Sequence, residues 1–195
     1  GMSSMFSGCS AFNQPLNNWD VSKVTSMFGM FWYCRAFNQP LNNWTVSQVT
    51  NMCRMFWGCT SFNQPLEKWD VSNVEDMHSM FFDTKAFNQS LGGWNVGKVK
   101  NMNRMFRSSK FNESLGDWDV SNVEDMEGMF LYNNVFNQPI GRWKTSKVKN
   151  MKSMFKNCAA FNQPLEEWDV SKVEDMSEMF AGCYSFNQPL GKWEV

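Results

Sequence analysis

Hydrophobic and polar positions follow one another along this chain in a pattern that repeats every 25 residues. The pair Phe-Asn occurs in eight copies, and one step, from residue 87 to residue 111, is a residue shorter than the others. Its phenylalanines are Phe12, Phe37, Phe62, Phe87, Phe111, Phe136, Phe161 and Phe186. A period of roughly 20 to 50 residues is typical of a solenoid, whose coils bury their apolar sides against their neighbours. We therefore predict that residues 1–195 form a single array of eight coils.

Each copy carries the spacing of a leucine-rich repeat. In one copy, Leu66, Trp69 and Val71 follow the pattern L-x-x-L-x-L. Because alternate residues of a strand point to one side, this spacing predicts a short strand over residues 69–71. Paired strands lie closer together than packed helices, so strands on one side and helices on the other should curve the stack. The strands are expected on the concave side.

A short helix is predicted directly after this strand. Ser72 and Glu75 fit a capping box, and Val74, Met77 and Phe81 lie on one helical face at i, i+3 and i+7. The box recurs at Ser121 with Glu124 and at Ser171 with Glu174. The expected fold is an α/β repeat solenoid, a leucine-rich-repeat-like arc of eight 25-residue coils with short parallel strands on the concave side and short helices on the convex side. An all-β solenoid is the alternative.

Two polar columns accompany the apolar pattern. Asn follows Phe in every copy, at Asn13, Asn38, Asn63, Asn88, Asn112, Asn137, Asn162 and Asn187. Since an irregular turn must still satisfy its backbone groups, we interpret this column as buried amides that bond the turn backbone and the next Asn. A direct ligand contact is the alternative. A second column alternates in sign through Glu75, Lys100, Glu124, Lys149 and Glu174, which predicts ion pairs between neighbouring coils.

The repeat also explains the unusual composition. The chain contains 16 Met, 18 Phe and 10 Trp, and 40 of these 44 residues lie in five columns of the repeat. The four others are Phe28, Trp32, Trp57 and Phe82, and with Tyr33 they form a candidate exposed aromatic strip. Such a strip suits a protein partner or sugar rings. The alternative is that these side chains fill grooves between helices.

Charge and residue inventory exclude several classes of function. Lys and Arg number 18 against 19 Asp and Glu, so no general attraction to nucleic acid is expected. No apolar run approaches the roughly 20 residues that span a bilayer, so we predict no membrane insertion of this segment. With His78 as the single histidine, most hydrolase and metalloenzyme sites are disfavoured. We predict no enzyme activity, no cofactor and no metal.

The outward positions of the predicted strands differ from copy to copy, and positions that the core does not dictate are free to recognise a ligand. The candidate binding residues on this concave face are Glu67, Lys68, Asp70, Asp117, Asp119, Arg142, Lys144, Glu166 and Glu167. A solvated surface without a ligand is the alternative. A calcium site is disfavoured, because the dense acidic loop of calcium motifs is missing.

The six cysteines are interpreted as thiols without a catalytic role. Five of them, Cys9, Cys34, Cys59, Cys158 and Cys183, share one column in which Thr, Ser and Asn also occur, and this favours buried free thiols over disulfides. The exception is Cys53, which lies outside the column and is predicted to be exposed.

Residues 52–74 carry the unit Met-x-x-Met-Phe-x-x-Cys-x-x-Phe-Asn-Gln-Pro-Leu-x-x-Trp-Asp-Val-Ser-x-Val. This unit resembles the repeat of the BspA-like leucine-rich-repeat surface proteins, including the mycoplasma and Listeria lipoprotein-type repeats, over the whole chain. The resemblance implies a cell-surface or secreted module for adhesion, with a protein or glycan partner on a host or neighbouring cell. A purely structural spacer is the alternative. Because neither end carries a polar capping copy, a fragment of a longer protein is expected.

Overall fold

The computed structural model describes residues 1–195 and contains neither an α-helix nor an extended strand. Successive copies of the repeat form coils that stack in register. The β-pairing consists of six isolated parallel bridges between equivalent residues of adjacent coils. These join Ser26 to Asn51, Asn51 to Asp76, Asp76 to Asn101, Asn101 to Asp125, Asp125 to Asn150 and Asn150 to Asp175. The predicted solenoid of 25-residue coils is therefore confirmed, whereas its helices and strands are absent.

The segment predicted as a helix is a run of overlapping turns. Over residues 52–59, the Met55 amide donates to the carbonyl three residues earlier at 3.2 Å, whereas the Phe56 amide donates to the next coil at 3.0 Å. Arg54 and Gly58 have φ angles of 59° and 76°. These angles are left-handed and do not occur inside a right-handed helix. The helix prediction is wrong because half of these amides link coils instead of closing helical turns.

The predicted strand over residues 69–71 and the predicted capping box are also wrong. The Asp70 Oδ1 atom accepts a hydrogen bond from the Ser72 amide at 3.1 Å, which forms a local turn. Ser72 therefore follows the residue that organises the turn and caps no helix. The Glu75 amide, which a helix would leave near its N-terminus, donates to the Thr50 carbonyl of the preceding coil at 2.8 Å.

The core is a continuous stripe of stacked side chains along the solenoid. It contains 53 buried residues, including the Met, Phe, Trp, Leu and Val columns of the inner coils. The rings of Phe31 and Phe56 in adjacent coils stack with centroids 5.7 Å apart, and Phe31 also stacks on Phe37 of its own coil at 4.3 Å. Aromatic contact therefore runs both along the stack and across each coil, so a coil is stabilised mainly by its neighbours.

Side-chain hydrogen bonds tie the coils together along a second edge. The Oδ1 atom of Asn13 accepts from the Asn38 amide at 2.9 Å, and the Asn13 carbonyl accepts from the Gln39 side chain at 3.1 Å. Equivalent bonds recur from Asn38 to Asn162, although Gln is replaced at Glu113. The predicted bonding of this Asn column is confirmed, but its side chains are exposed or half-buried. They remain accessible because they bond along the outer edge of the stack.

Charged pairs form between coils as the alternating column predicts. Lys100 lies 3.0 Å from Glu75, and Lys149 lies 2.8 Å from Glu124. All four side chains are about half exposed, so each pair adds little to the free energy of unfolding. The alternation of sign means that like charges do not lie next to each other in adjacent coils.

Candidate interaction surfaces

The largest depression of the molecule lies beside two glycines on the face that carries the predicted binding residues. This groove has a volume of about 600 Å³. Its lining residues are Ser114, Gly116, Asp117, Pro139, Gly141, Arg142, Pro164, Glu166 and Glu167. The structure thus brings together Asp117, Arg142, Glu166 and Glu167, four of the nine residues predicted for this face. We call this depression the groove.

Glycine lets neighbouring coils approach each other closely beside the groove. A Cβ atom added at Gly141 would lie 2.7 Å from the carbonyl oxygen of Pro164, and one added at Gly116 would lie 3.0 Å from that of Pro139. The backbone of the next coil therefore approaches too closely for a side chain at these two positions. Asn42 occupies the position equivalent to Gly141 in another coil, and its Oδ1 atom accepts a hydrogen bond from the Lys68 amide at 3.0 Å.

Charges alternate along the groove. Asp117, Arg142 and Glu167 occupy equivalent positions in three consecutive coils, and all three are exposed. Glu167 forms an ion pair with Lys192, whereas Arg142 has no ion pair within the chain. Two carboxylates therefore flank a guanidinium that keeps its hydrogen-bonding capacity for a ligand.

The other residues predicted for this face lie outside the groove. Lys144 lines a neighbouring depression of about 420 Å³ that shares Arg142 and Glu167 with the groove. Lys68 and Asp70 line a third depression of about 310 Å³ near the other end of the stack. Glu67 accepts a hydrogen bond from Asn42 at 3.1 Å. Apart from the two shared residues, none of these is among the residues that line the groove.

Two of the predicted carboxylates have a structural role. Asp70 and Asp119 each accept the amide of the residue two positions later, at Ser72 and Ser121, with distances of 3.1 Å. Hydrogen bonds from the hydroxyl and amide of Ser72 lower the pKa of Asp70, and those of Ser121 lower the pKa of Asp119. Both side chains stay charged at neutral pH while they hold their turns, so their geometry is fixed by the fold.

The aromatic residues predicted as an exposed strip lie together, but only Tyr33 is exposed and the other four are half-buried. Trp57 stacks on Trp32 with centroids 5.4 Å apart and on Phe82 with centroids 4.5 Å apart. Tyr33 lies 6.1 Å from Trp57 and is 38% exposed, and Phe28 is half-buried. These rings therefore continue the aromatic stacking of the core to the surface, and both faces of the Trp57 ring are covered.

A glycine and an arginine complete this aromatic surface. A Cβ atom at Gly58, whose φ is 76°, would lie 2.5 Å from the Tyr33 ring, so glycine allows that ring to pack down on the next coil. The Arg54 guanidinium lies 5.4 Å from the Trp32 ring and 5.3 Å from the Trp57 ring. Arg54 was not predicted from the sequence, although it is a charged residue at a position held by Gly29 one coil earlier.

The cysteine column consists of buried thiols in the inner coils. Cys59 is fully buried, and its Sγ atom donates to the Phe31 carbonyl at 2.9 Å. The prediction that Cys53 is exposed is wrong, since only 6% of this residue is accessible. Burial raises the pKa of Cys53 to about 12, with a smaller contribution from the charge of Asp76. Cys53 is covered because its column stacks between Phe28 and His78 of the adjacent coils.

Three further features bear on the candidate chemistry. His78 is half-buried on the aromatic flank, and burial lowers its pKa. No group of three or more His, Cys, Asp and Glu side chains converges in a geometry that suits a metal ion. The structure contains no helix that is long and apolar enough to cross a membrane.

Comparison with known proteins identifies one family. A family model described as a Mycoplasma protein of unknown function, DUF285, matches residues 35–132 and again residues 104–195. The two matches overlap and together cover more than half of the chain. No curated protein matches the sequence.

Proposed function

We propose that this chain, which belongs to the DUF285 family of Mycoplasma proteins of unknown function, is a non-enzymatic binding module that seats an extended segment of a partner protein in the groove. The observation that carries the proposal is the groove itself. Gly116 and Gly141 line it where the next coil approaches too closely for a side chain, and its other lining residues include charged ones that the core does not require. Core packing alone gives no reason for this combination.

The charges of the groove favour a basic polypeptide segment. Asp117, Glu166 and Glu167 outnumber the single guanidinium of Arg142, so a segment with Lys or Arg side chains would be complementary. The groove has no aromatic lining residue, and the Trp143 ring beside it is only 2% exposed. A neutral sugar would find no ring face to stack on, which argues against a glycan at this site.

A non-enzymatic role at the cell surface is consistent with the remaining features. The only histidine, His78, lies on the aromatic flank and is not among the residues that line the groove. The resemblance to the BspA-like surface proteins supports a location on the cell surface or outside the cell, and adhesion as the biological setting. Recognition of a host or neighbouring cell is the role that fits this setting.

The test compares two substitutions at the same position of the repeat. Glu166 lies in the groove, whereas Glu67, the equivalent residue four coils earlier, is not among its lining residues. A fluorescein-labelled octapeptide of alternating Lys and Ser is titrated with the wild-type chain, with Glu166→Lys and with Glu67→Lys. We expect the dissociation constant for the peptide to rise at least tenfold for Glu166→Lys and less than twofold for Glu67→Lys. A cooperative thermal unfolding transition in both variants should show that both are folded.

Equal weakening by the two substitutions would show that the peptide senses net charge, and the groove would then not be the site. If the chain instead binds oligosaccharides selectively and Glu166→Lys abolishes that binding, the partner in the groove is a glycan and not a polypeptide. If neither class of ligand binds, the spacer function is favoured. A specific observation supports that second function, since the rings stack from Phe6 through Phe180 and make a rod without an interruption in the coil contacts.

A further inference from the structure

The aromatic flank carries arginines that the packing of the core does not use. The Arg54 guanidinium lies within 5.3 to 5.7 Å of the rings of Phe28, Trp32 and Trp57, and the Arg107 guanidinium lies 4.8 Å from the Phe82 ring. We call this surface the arginine flank. Its members are Phe28, Trp32, Tyr33, Arg54, Trp57, Phe82 and Arg107.

Neither of these arginines has a carboxylate partner. The neighbouring Arg104 pairs with Glu127 at 2.9 Å, but Arg54 and Arg107 take part in none of the six ion pairs of the chain. Their Nε atoms are buried without a hydrogen-bond partner, while both residues remain partly exposed. Two guanidinium groups are therefore held against rings with their outer nitrogen atoms free for an anion.

The backbone at Arg54 disfavours a side chain. Its φ is 59°, and the equivalent positions in other coils include Gly29 and Gly128 with φ of 56° and 57°. A non-glycine residue in this region costs roughly 1 kcal/mol or more. Most equivalent positions nevertheless carry a side chain, among them Ser79, Arg104 and Glu178 with φ of 54°, 55° and 58°. The fold accepts glycine as well, so Arg54→Gly removes the guanidinium without straining the backbone.

The rings of this surface suit carboxylates better than sugars. Trp57 is sandwiched between Trp32 and Phe82, so it presents its edge to solvent. Ring edges carry partial positive charge, whereas sugar recognition uses the faces. Edges and guanidinium groups together make a surface that attracts anions.

We propose that the arginine flank binds an acidic segment of a second protein partner, distinct from the segment proposed for the groove. Carboxylates of the segment pair with Arg54 and Arg107, and its apolar side chains lie against Tyr33 and the edge of Trp57. Trp, Tyr and Arg are the residues enriched at the energetic centres of protein interfaces, which favours an acidic protein over a sulfated polysaccharide.

The test uses a labelled decapeptide of alternating Glu and Leu, with a decapeptide of alternating Lys and Leu as the control ligand. The double substitution Arg54→Gly/Arg107→Ala removes both cations, and glycine suits the left-handed backbone at position 54. We expect the dissociation constant for the acidic peptide to rise at least tenfold with the melting temperature maintained. The wild-type chain should bind the basic peptide at least tenfold more weakly than the acidic one.

A matched control removes the same charge from the same face. Lys152 and Lys156 occupy the columns of Phe28 and Trp32 in a later coil, outside the arginine flank, and Lys156 pairs with Glu178. The double substitution Lys152→Ala/Lys156→Ala should change the affinity for the acidic peptide less than twofold. Equal loss in both double variants would overturn the proposal, because net charge alone would then explain binding. Binding of sulfated dextran in preference to the acidic peptide would overturn it as well. The groove variant Glu166→Lys should leave this affinity unchanged, so the two proposals fail separately.

Discussion

The indole Nε1 atom of Trp118 donates a hydrogen bond of 2.9 Å to the carbonyl oxygen of Leu91 in the preceding coil. Trp118 is only 3% exposed, so this carbonyl has no access to water as a substitute partner. The same bond recurs from Trp44 to Trp193 in every adjacent pair of coils. The Trp column therefore contributes both ring packing and a polar link between coils.

Replacement of Trp118 by Phe should lower the free energy of unfolding by about 1 kcal/mol, since it removes one of the two hydrogen bonds that the Leu91 carbonyl accepts. The other, from the Trp94 amide at 3.0 Å, remains. Urea denaturation of the intact chain measures the loss. Trp19 serves as the control, because it is 36% exposed and lies in the first coil, where its Nε1 atom has no carbonyl of a preceding coil to bond. Trp19→Phe should cost less than about 0.5 kcal/mol. Equal losses would mean that the hydrogen bond contributes nothing.

Substitution of Gly141 by Ala should destabilise the chain. The added methyl group would lie 2.7 Å from the Pro164 carbonyl, so the two coils must move apart, at a cost of roughly 1–3 kcal/mol. Gly93 has open space around it and provides the matched control. Gly93→Ala should be neutral or stabilising by up to about 1 kcal/mol. Thermal or urea unfolding distinguishes the two, and equal stability of both variants would contradict the close approach.

Acid should remove part of the stability that Asp119 provides. Hydrogen bonds from Ser121 lower the pKa of Asp119 in the folded chain, so its contribution is present above the ordinary Asp pKa and is lost as the pH falls through the lowered value. Asn fills the same role at Asn95, whose Oδ1 atom accepts the Gly97 amide at 3.0 Å. The difference in melting temperature between the wild type and Asp119→Asn should therefore shrink as the pH falls from about 5 to about 2. A constant difference over this range would contradict the lowered pKa.

The rate of alkylation should distinguish the exposed cysteine from the buried ones. At pH 8, iodoacetamide should modify the exposed Cys9 at least about 100-fold faster than Cys53 or Cys59, because only the thiolate reacts and burial raises the pKa of both inner thiols. Mass spectrometry of peptides from the native chain gives the three rates. In urea the three should react at similar rates. Rapid native labelling of Cys53 would contradict its burial.

The predictions that depended on the period were the successful ones. Equivalent residues of neighbouring coils contact each other in any register-matched stack, so the ring columns, the Asn bonds and the pairing of Lys100 with Glu75 followed from the sequence. The groove was anticipated only in part. Its four charged residues lie on the predicted face, but nothing in their spacing showed that the backbone of the next coil would approach so closely at Gly116 and Gly141.

The helix prediction failed for a specific reason. Val74, Met77 and Phe81 have the spacing of a helical face, but consecutive three-residue turns bring the same positions to one side. The distinction depends on left-handed residues such as Arg54 and Tyr33, with φ of 59° and 58°. Side-chain type does not mark these positions, since Ser, Asp, Asn and Glu occupy them as readily as Gly.

The sequence by itself determined the coil length, the number of coils and the residues of the core, because a 25-residue period with invariant apolar columns permits only a stack in register. Only the tertiary structure decided the backbone path within each coil. A backbone amide can donate a hydrogen bond to the carbonyl three residues earlier or to a carbonyl of the next coil. Which of the two forms depends on whether that neighbouring coil is present. The same contacts decided that Arg54 lies among three rings and that the groove opens beside Gly141.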